Sequence, residues 1–433
     1  IQETLFHEKE TIIENCLFGV DINPKSVMIC RLRLWIELLK NAYYRRNSDQ
    51  LETLPNIDIN IKCGNSLVSR FALTGMPNIP AAGRKKQKEL ADKYRELVFF
   101  YKHAPSNKAE VRKQIENLKH SLENFGLPND KDLIALRKKE NEVAQLGFAF
   151  DKKGTEARQK LMKEVEALQA RFAEKERLLY SNAFEWRFEF PEVLDDAGEF
   201  IGFDAVIGNP PYGNLASKDL QKFFAETYQH QDTQKDLYML FLERYEHLLR
   251  SFGLIGVIIP NTWLQSVTFK KIRQFMTSHY DWLNLLQLQE NVFDAVVDTH
   301  VLVFKYNTNN LNACTKVPVF TRKDGVFKLS HELAWGQIPK NGEPINIVAD
   351  SRAQEFYKKI ISASRRLADI CTVFNGVKPF EKGKGTPPQT AKTMEEKPFV
   401  LEGSAPDASW SPLLRGSLIQ RYKIRWDNNY WIQ

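Results

Sequence analysis

The chain has 433 residues, 43% hydrophobic and 27% charged, with a formal net charge of +7; this length allows two or three domains with sizeable cores and excludes a stapled mini-protein. The longest clean apolar run, Leu254 to Ile259, is far too short for a bilayer, so no membrane-spanning protein is expected. Ile1-Gln2-Glu3-Thr4 carries neither an initiator Met nor a signal-peptide pattern, which leads us to expect an internal fragment of a cytoplasmic protein.

In chain order, residues 17–21 read as a short buried strand. Asn23 then caps a helix with Pro24 in its first turn, and Val27, Cys30, Leu34 and Leu38 recur at helical spacing. Ile57 to Cys63 reads as a second strand. Phe203 to Gly208, Leu254 to Ile259, Leu283 to Leu288 and His300 to Phe304 supply four more, with helical stretches such as Asp236 to Leu249 between them. Strands alternating with helices predict an α/β fold with a largely parallel, doubly wound sheet.

Residues 83–182 break this rhythm. Val111, Ile115, Leu118, Leu122 and Phe125, and later Leu161, Val165, Leu168 and Phe172, step by three and four, so we read a helical, coiled-coil-like insertion dividing the sheet into 1–82 and 183–307. It holds 23 Lys+Arg against 16 Asp+Glu, while the remainder holds 38 of each sign. Either a solvated spacer or contact with a nucleic-acid backbone fits that excess, for which Lys85, Lys86, Lys88, Arg112, Lys113, Arg137, Lys138 and Lys139 are the candidates. From about residue 308 Gly and Pro break the chain into short segments, predicting a second, mixed or β-rich domain over 308–433. Its last stretch carries Arg415, Arg421, Tyr422, Lys423, Arg425 and Trp426, a mixture suited to phosphate and base contact and equally to ordinary surface. The five cysteines are widely spaced with no C-x-x-C pair, and are expected to be reduced core thiols; the eight histidines show no ligand spacing, so no metal site is expected.

The sharpest chemical signal is Asn209-Pro210-Pro211-Tyr212, directly after the apolar strand Phe203 to Gly208. It puts a stiff polar loop at the carboxyl edge of the sheet, where doubly wound folds bind ligands. An exocyclic amine on an aromatic ring is a poor nucleophile until neighbouring acceptors draw its hydrogens and localise its lone pair. The Asn209 side-chain oxygen and the Pro210 carbonyl are suited to that role, and Tyr212 to stacking on the ring. The bland reading is a turn after a strand. Asp21, ending its strand, suits ribose hydroxyls, or simple helix capping.

Together these residues resemble S-adenosylmethionine-dependent adenine-N6 DNA methyltransferases of the bacterial restriction-modification type. Leu17 to Pro24 resembles the segment whose acidic residue, here Asp21 followed by Ile22, holds the cofactor ribose. Cys63-Gly64-Asn65-Ser66-Leu67 resembles the segment that contacts the cofactor adenine, with Asn65 where an Asp is usual. Asn209 to Tyr212 is similar to the catalytic motif in its adenine form, and Asp236-Leu237-Tyr238 and the strand before Asn261 resemble later motifs. Asn291 to Thr299 resembles the segment whose Phe, here Phe293, packs on the flipped base, while Leu367 to Ile370, Asn375 to Val377, Pro412 to Gly416 and Arg421-Tyr422 resemble the target-recognition domain. The resemblance implies S-adenosylmethionine as cofactor, double-stranded DNA as partner, DNA contacts at Arg415, Arg421 and Lys423, and a fused or separate nuclease. The family's glycine-rich loop is absent and is expected upstream of Ile1; Gly383-Lys384-Gly385 does not supply it. Protein-glutamine or RNA amino methylation, and a DNA-binding fragment inactive alone, are the alternative readings.

Overall fold

In the computed structural model, which describes residues 1–433 apart from 46–47, 53–55, 74–80, 104–106, 127, 129, 147–151, 197, 214–215, 231, 233–235, 289–297, 308–314, 324, 366, 373–375, 378, 382, 386 and 427, Asn23 starts its helix as expected. The chain opens with α1 (Gln2–Asn15), β1 (Gly19–Asp21) and α2 (Pro24–Leu39). The Asn23 side chain accepts the Lys25 N–H at 2.9 Å, and Pro24 fills a position that needs no N–H. β2 (Ile61–Cys63) pairs parallel to β1, with Asp21 opposite Cys63. The strand expected from Ile57 is shorter because Ile57–Ile59 form a 3₁₀ turn. Asn60 turns inward there and its buried amide reaches the carbonyls of Ile13, Glu14 and Leu17 at 3.2, 2.7 and 3.1 Å, closing the end of α1.

The insertion is helical: α3 (Ala81–His103), α4 (Lys108–Glu123), α5 (Lys131–Leu146) and α6 (Lys152–Lys175). Val111, Ile115 and Leu122 are buried against Tyr94, Val98 and Tyr101 of α3, so the expected stripe is a packing stripe. Ion pairs fasten it. Glu185 is buried and accepts from the Ser69 hydroxyl (2.7 Å), the Arg70 N–H (2.8 Å) and Arg70 Nε (2.9 Å), while Arg70 also reaches Glu123 and Glu176. Glu189 joins Lys62 of β2 at 2.8 Å to Lys119 of α4 at 2.7 Å. Two residues counted as phosphate candidates are engaged inside the insertion: Arg137 donates to the carbonyls of Gly126 and Glu123, and Lys139 pairs with Glu142 and Glu164.

After it come β3 (Phe203–Gly208), α7 (Lys218–Thr227), α8 (Leu237–Leu248), β4 (Leu249–Pro260), α9 (Lys270–His279), β5 (Tyr280–Leu288), β6 (Thr299–Tyr306), β7 (Lys316–Lys323) and β8 (Val326–Ala334). The six strands form one sheet in the order β3-β4-β6-β5-β7-β8. The class is α/β as expected, but the pairing is mixed rather than largely parallel: β3 on β4 and β5 on β7 are parallel, and β6 lies antiparallel between β4 and β5. The link from Leu288 to Thr299 is too short for the crossover a parallel neighbour needs. Ile255, Val257, Ile259, Trp282, Leu285, Leu302 and Phe304 fill the core.

Two further expectations are corrected. The boundary placed at 308 falls inside the first compact unit, which runs from Ile1 to Gln354, because Val317, Val319 and Leu333 of β7 and β8 are buried in the same core. Cys16, Cys30, Cys63 and Cys371 are free but exposed, since they sit at element ends and on the outer face of α2; Cys314 lies outside the described residues. The second unit, Glu355–Gln433, carries β9 (Val400–Glu402), β10 (Ser411–Pro412), β11 (Ile419–Gln420), β12 (Lys423–Ile424) and β13 (Tyr430–Ile432). β10, β13 and β9 form one small antiparallel sheet, and β11 and β12 a hairpin.

Replacing Glu185 by Ala leaves the Ser69 hydroxyl and the Arg70 donors short of their buried acceptor. Urea denaturation should show a loss of about 3 kcal/mol, the lower end for breaking a buried pair because Arg70 keeps Glu123 and Glu176; a loss below about 1 kcal/mol would remove Glu185 from its role as fastener.

Candidate active site

β3 pairs with β4 so that Gly208 lies opposite Val257. The next residues are Asn209 and two prolines, which have no N–H to continue a ladder, so the strand ends there and Asn209 stands exposed at its carboxyl end. A Cβ on Gly208 would collide with the Tyr245 hydroxyl of α8, so a larger residue there would have to displace the end of that side chain. The Tyr212 hydroxyl lies 3.2 Å from Asn209 Oδ1 and 3.3 Å from the Ile258 carbonyl on β4. Gly213, with φ +77, turns the chain back; its N–H donates to Asp236 Oδ1 at 3.0 Å and its carbonyl accepts from Leu237 at the start of α8. Tyr212 is half-buried, edge-on to Tyr238 at 6.4 Å, and burial raises its pKa. The Asn209, Pro210 and Tyr212 cluster read from sequence is therefore one braced loop.

Asp21 and Asn65 come together at the carboxyl ends of β1 and β2, where the Gly64 N–H donates to the Asp21 carbonyl at 3.0 Å. Asp21 is exposed and one of its oxygens accepts the Asn23 N–H at 2.7 Å. Ile22 is 59% exposed. Asn65 Oδ1 accepts the Leu67 N–H at 3.1 Å, and the Ser66 carbonyl accepts the Trp186 indole N–H. The short sheet joins the main core through Phe18, whose ring is 5.7 Å from that of Phe203 at the start of β3.

Phe293 lies outside the described residues. In the second unit Arg421 and Tyr422 form the tip of the β11–β12 hairpin, with Tyr422 in the left-handed region and fully exposed. Lys423 follows on β12, and Arg415 lies over the Tyr430 ring at 3.2 Å. Among the described residues no three His, Cys, Asp or Glu side chains are placed to hold a metal, and no helix is long and apolar enough to cross a membrane.

Sequence reasoning missed a cavity of roughly 630 Å³ where the carboxyl ends of β4 and β5 meet the start of β6. His300 lines it and is buried; its Nε2 accepts from the Trp263 indole at 3.0 Å, and its Nδ1 has no partner among the described residues. A histidine at the second position of a strand gives no local signal of this.

The braced Asn-Pro-Pro-Tyr loop thus stands at the carboxyl edge of an α/β sheet, in a chain of the methyltransferase class. Within that class the chain belongs to the Eco57I restriction-modification methylase family, whose model matches residues 15–293. It is 28% identical over 327 residues to a Methanocaldococcus jannaschii protein named as a type II restriction enzyme and methyltransferase, RM.MjaORFECS2P, covering 69% of this chain and 26% of that one. It is similar to the type II methyltransferase M.BstVI of Geobacillus stearothermophilus (28%, over 29% of this chain and 23% of that one) and to the adenine-specific methyltransferase PglX of Lacticaseibacillus casei (29%, over 21% and 7%). The chain thus spans about a quarter of the length of the first two relatives.

Burial lowers the His300 pKa to about 3, against an ordinary 6.5. The unfolded chain takes up a proton at His300 below pH 6.5 that the folded chain does not, so this contribution to stability is complete above pH 6.5 and shrinks as pH falls towards 3. Between pH 6.5 and 5 the wild type should lose up to about 2 kcal/mol more than His300→Phe, at roughly 1.4 kcal/mol per unit. Equal slopes in urea melts would show that His300 is free to charge.

Proposed function

We propose that this chain supplies the catalytic sheet of a DNA adenine-N6 methyltransferase acting in a restriction-modification system, with S-adenosylmethionine as methyl donor and duplex DNA as acceptor. The observation that carries the reading is Asn209, exposed at the end of β3 and braced through the Tyr212 hydroxyl to Ile258 of β4. That hydroxyl has one hydrogen for two acceptors. Turning the Asn209 amide by 180° resolves the competition: Nδ2 then donates to the Tyr212 oxygen, the Tyr212 hydrogen goes to the Ile258 carbonyl, and Oδ1 faces outward as an acceptor. An outward Oδ1 and the Pro210 carbonyl draw the two hydrogens of an exocyclic amine and localise its lone pair.

S-adenosylmethionine, when bound, supplies an electrophilic methyl carbon on a sulfonium. The donor set present suits part of it: the free oxygen of Asp21 matches a ribose hydroxyl, with Ile22, Asn65 and Ser66 beside it at the same strand ends. The Asn209 oxygen dipole would stabilise the positive charge that grows on the amine nitrogen as the sulfur–methyl bond breaks and sulfur leaves as a neutral thioether, until the surplus proton passes to water. Adenine N6 is paired in a duplex, so the base must rotate out, at a cost of a few kcal/mol. Stacking on Tyr212 and, as the resemblance implies, on Phe293 offsets it by roughly 1–3 kcal/mol per base–aromatic pair. Adenine, rather than another amine, is favoured by the Asn in the loop and by the likeness to the adenine-specific PglX. Arg415, Arg421 and Lys423 remain proposed DNA contacts, as does a nuclease in the intact protein.

Asn209→Ala should lower radiolabelled methyl transfer to duplex DNA by the full-length protein about 100- to 1000-fold without changing its urea midpoint. Transfer near the wild-type rate would end the assignment, and transfer to protein or RNA in preference to DNA would redirect it.

For the insertion, the test moves to Lys85, Lys86 and Lys88, which are exposed on α3, because Arg137 and Lys139 already have partners. Changing the three to Gln should flatten the log-log salt dependence of DNA binding by about 0.9 for each phosphate no longer neutralised, with target preference unchanged. An unaltered slope would make this helix a spacer.

A further inference from the structure

α8 meets the Asn209–Tyr212 loop at three places. The Tyr245 hydroxyl stands where a Cβ on Gly208 would fall, and the Tyr238 ring is edge-on to Tyr212. At the helix start, Asp236 reaches past its own helix to the end of the loop, where Oδ1 accepts the Gly213 N–H at 3.0 Å across 23 residues of chain. The next residue returns the bond, the Leu237 N–H donating to the Gly213 carbonyl at 3.1 Å. Both backbone groups of Gly213 are thus met from one helix end.

Asp236 does this in place of a local bond. It precedes the first turn of α8 with extended backbone, where an Asp side chain ordinarily accepts an N–H of its own helix, yet it makes no such cap among the described residues. Asn23 and Ser217, at the same position of α2 and α7, do cap, accepting from Lys25 and Leu220. The Asp236 carboxylate is committed to the loop instead. Gly213 is a sensitive point for such a contact. Its φ of +77 turns the chain out of the strand direction, and the two prolines before Tyr212 have no N–H with which to fix the loop.

We propose that Asp236 is a positioning residue for the Asn209–Tyr212 loop, acting through the Gly213 N–H, an assignment that rests on the reading of that loop given above. With Gly213 clamped, the chain leaves Tyr212 in one direction. The Tyr212 hydroxyl then stays within reach of Asn209 and of the Ile258 carbonyl, and the Asn209 amide is held at one place rather than over a range. A shift of about 1 Å in a reacting group can cost about 100-fold in rate, so a residue that touches only the loop backbone can govern turnover.

The test compares Asp236→Asn with Asp236→Ser in the full-length protein. Before the first turn of a helix Asn, Asp and Ser are nearly equivalent caps, so a residue that served only α8 would tolerate both changes. Asn keeps an acceptor at the reach of Oδ1, whereas the Ser hydroxyl is one bond shorter and falls short of Gly213. Amide exchange followed by mass spectrometry reads the clamp directly, because Pro210 and Pro211 leave Tyr212 and Gly213 as the exchanging amides of the loop after Asn209. Asp236→Ser should speed exchange there about 10- to 100-fold, the worth of a hydrogen bond to a charged group. It should also lower kcat for methyl transfer to duplex DNA about tenfold or more, with the KM for S-adenosylmethionine little changed. Asp236→Asn should stay close to wild type in exchange and in kcat. Unchanged exchange in Asp236→Ser, faster exchange with an unchanged kcat, or an Asn variant as impaired as the Ser variant each overturns the inference. The exchange comparison needs no methyl transfer, so a protein that shows the clamp and leaves DNA unmethylated overturns the preceding reading and not the clamp.

Discussion

The register of β3 on β4 is the constraint on which the site depends. Gly208 opposite Val257 places Asn209 just past the last paired residue and brings Tyr212 within reach of the Ile258 carbonyl. A slip of one residue would turn every side chain of β3 to the other face of the sheet and carry Asn209 away from its brace. What opposes the slip is apolar packing: Ile255, Val257 and Ile259 of β4 are buried on one face, and Gly208 leaves room for the Tyr245 hydroxyl against β3. The geometry of the loop is in this sense a by-product of hydrophobic burial, with the two prolines converting the end of a ladder into the start of a loop.

The insertion shows how far a charge count can mislead. Its excess of positive charge is real, yet Lys119, Arg137, Lys139, Arg171 and Lys175 are held by carboxylates or carbonyls of the same region or its base. Exposed pairs such as Arg171–Asp132 add little net stability, whereas the largely buried Lys119–Glu189 pair is costly to break. They therefore fix where the helices leave the sheet rather than how tightly the chain folds. The charge left for an outside partner is smaller than the sequence total and concentrated on exposed helix faces such as that of Lys85, Lys86 and Lys88.

Local chemistry was legible in the sequence and non-local pairing was not. The Asn23 cap, Pro24 in the first helical turn, the strand before Asn209 and the helix after Asp236 all declare themselves within a few residues, and all stand where expected. The antiparallel placement of β6, the continuation of the sheet into β7 and β8, and the inward turn of Asn60 depend on partners dozens of residues away, which periodicity cannot register. The cysteines misled for a related reason: Cys is often buried, but Cys30 falls on the outer face of its helix and Cys63 at a strand end. His300 is the sharpest case, since its tautomer follows from the indole of Trp263, which does not lie near it in sequence.

Among the described residues, the polar side chains at the carboxyl ends of β3, β4 and β5 include amides, hydroxyls and a carboxylate, and no Lys or Arg lines the cavity there. That choice has a physical cause if an amine is the nucleophile. A Lys or Arg beside Asn209 would oppose the positive charge growing on nitrogen, at a distance where the repulsion is about 4 kcal/mol for unit charges 4 Å apart in a partly screened site. Amide oxygens stabilise the same charge and carry a smaller desolvation cost than ions would. On the reading proposed above, affinity for a polyanion has to come from side chains away from that edge, for which exposed Lys85, Lys86 and Lys88 are available. On that reading, the separation of the reacting edge from basic side chains is imposed by the charge of the reaction itself.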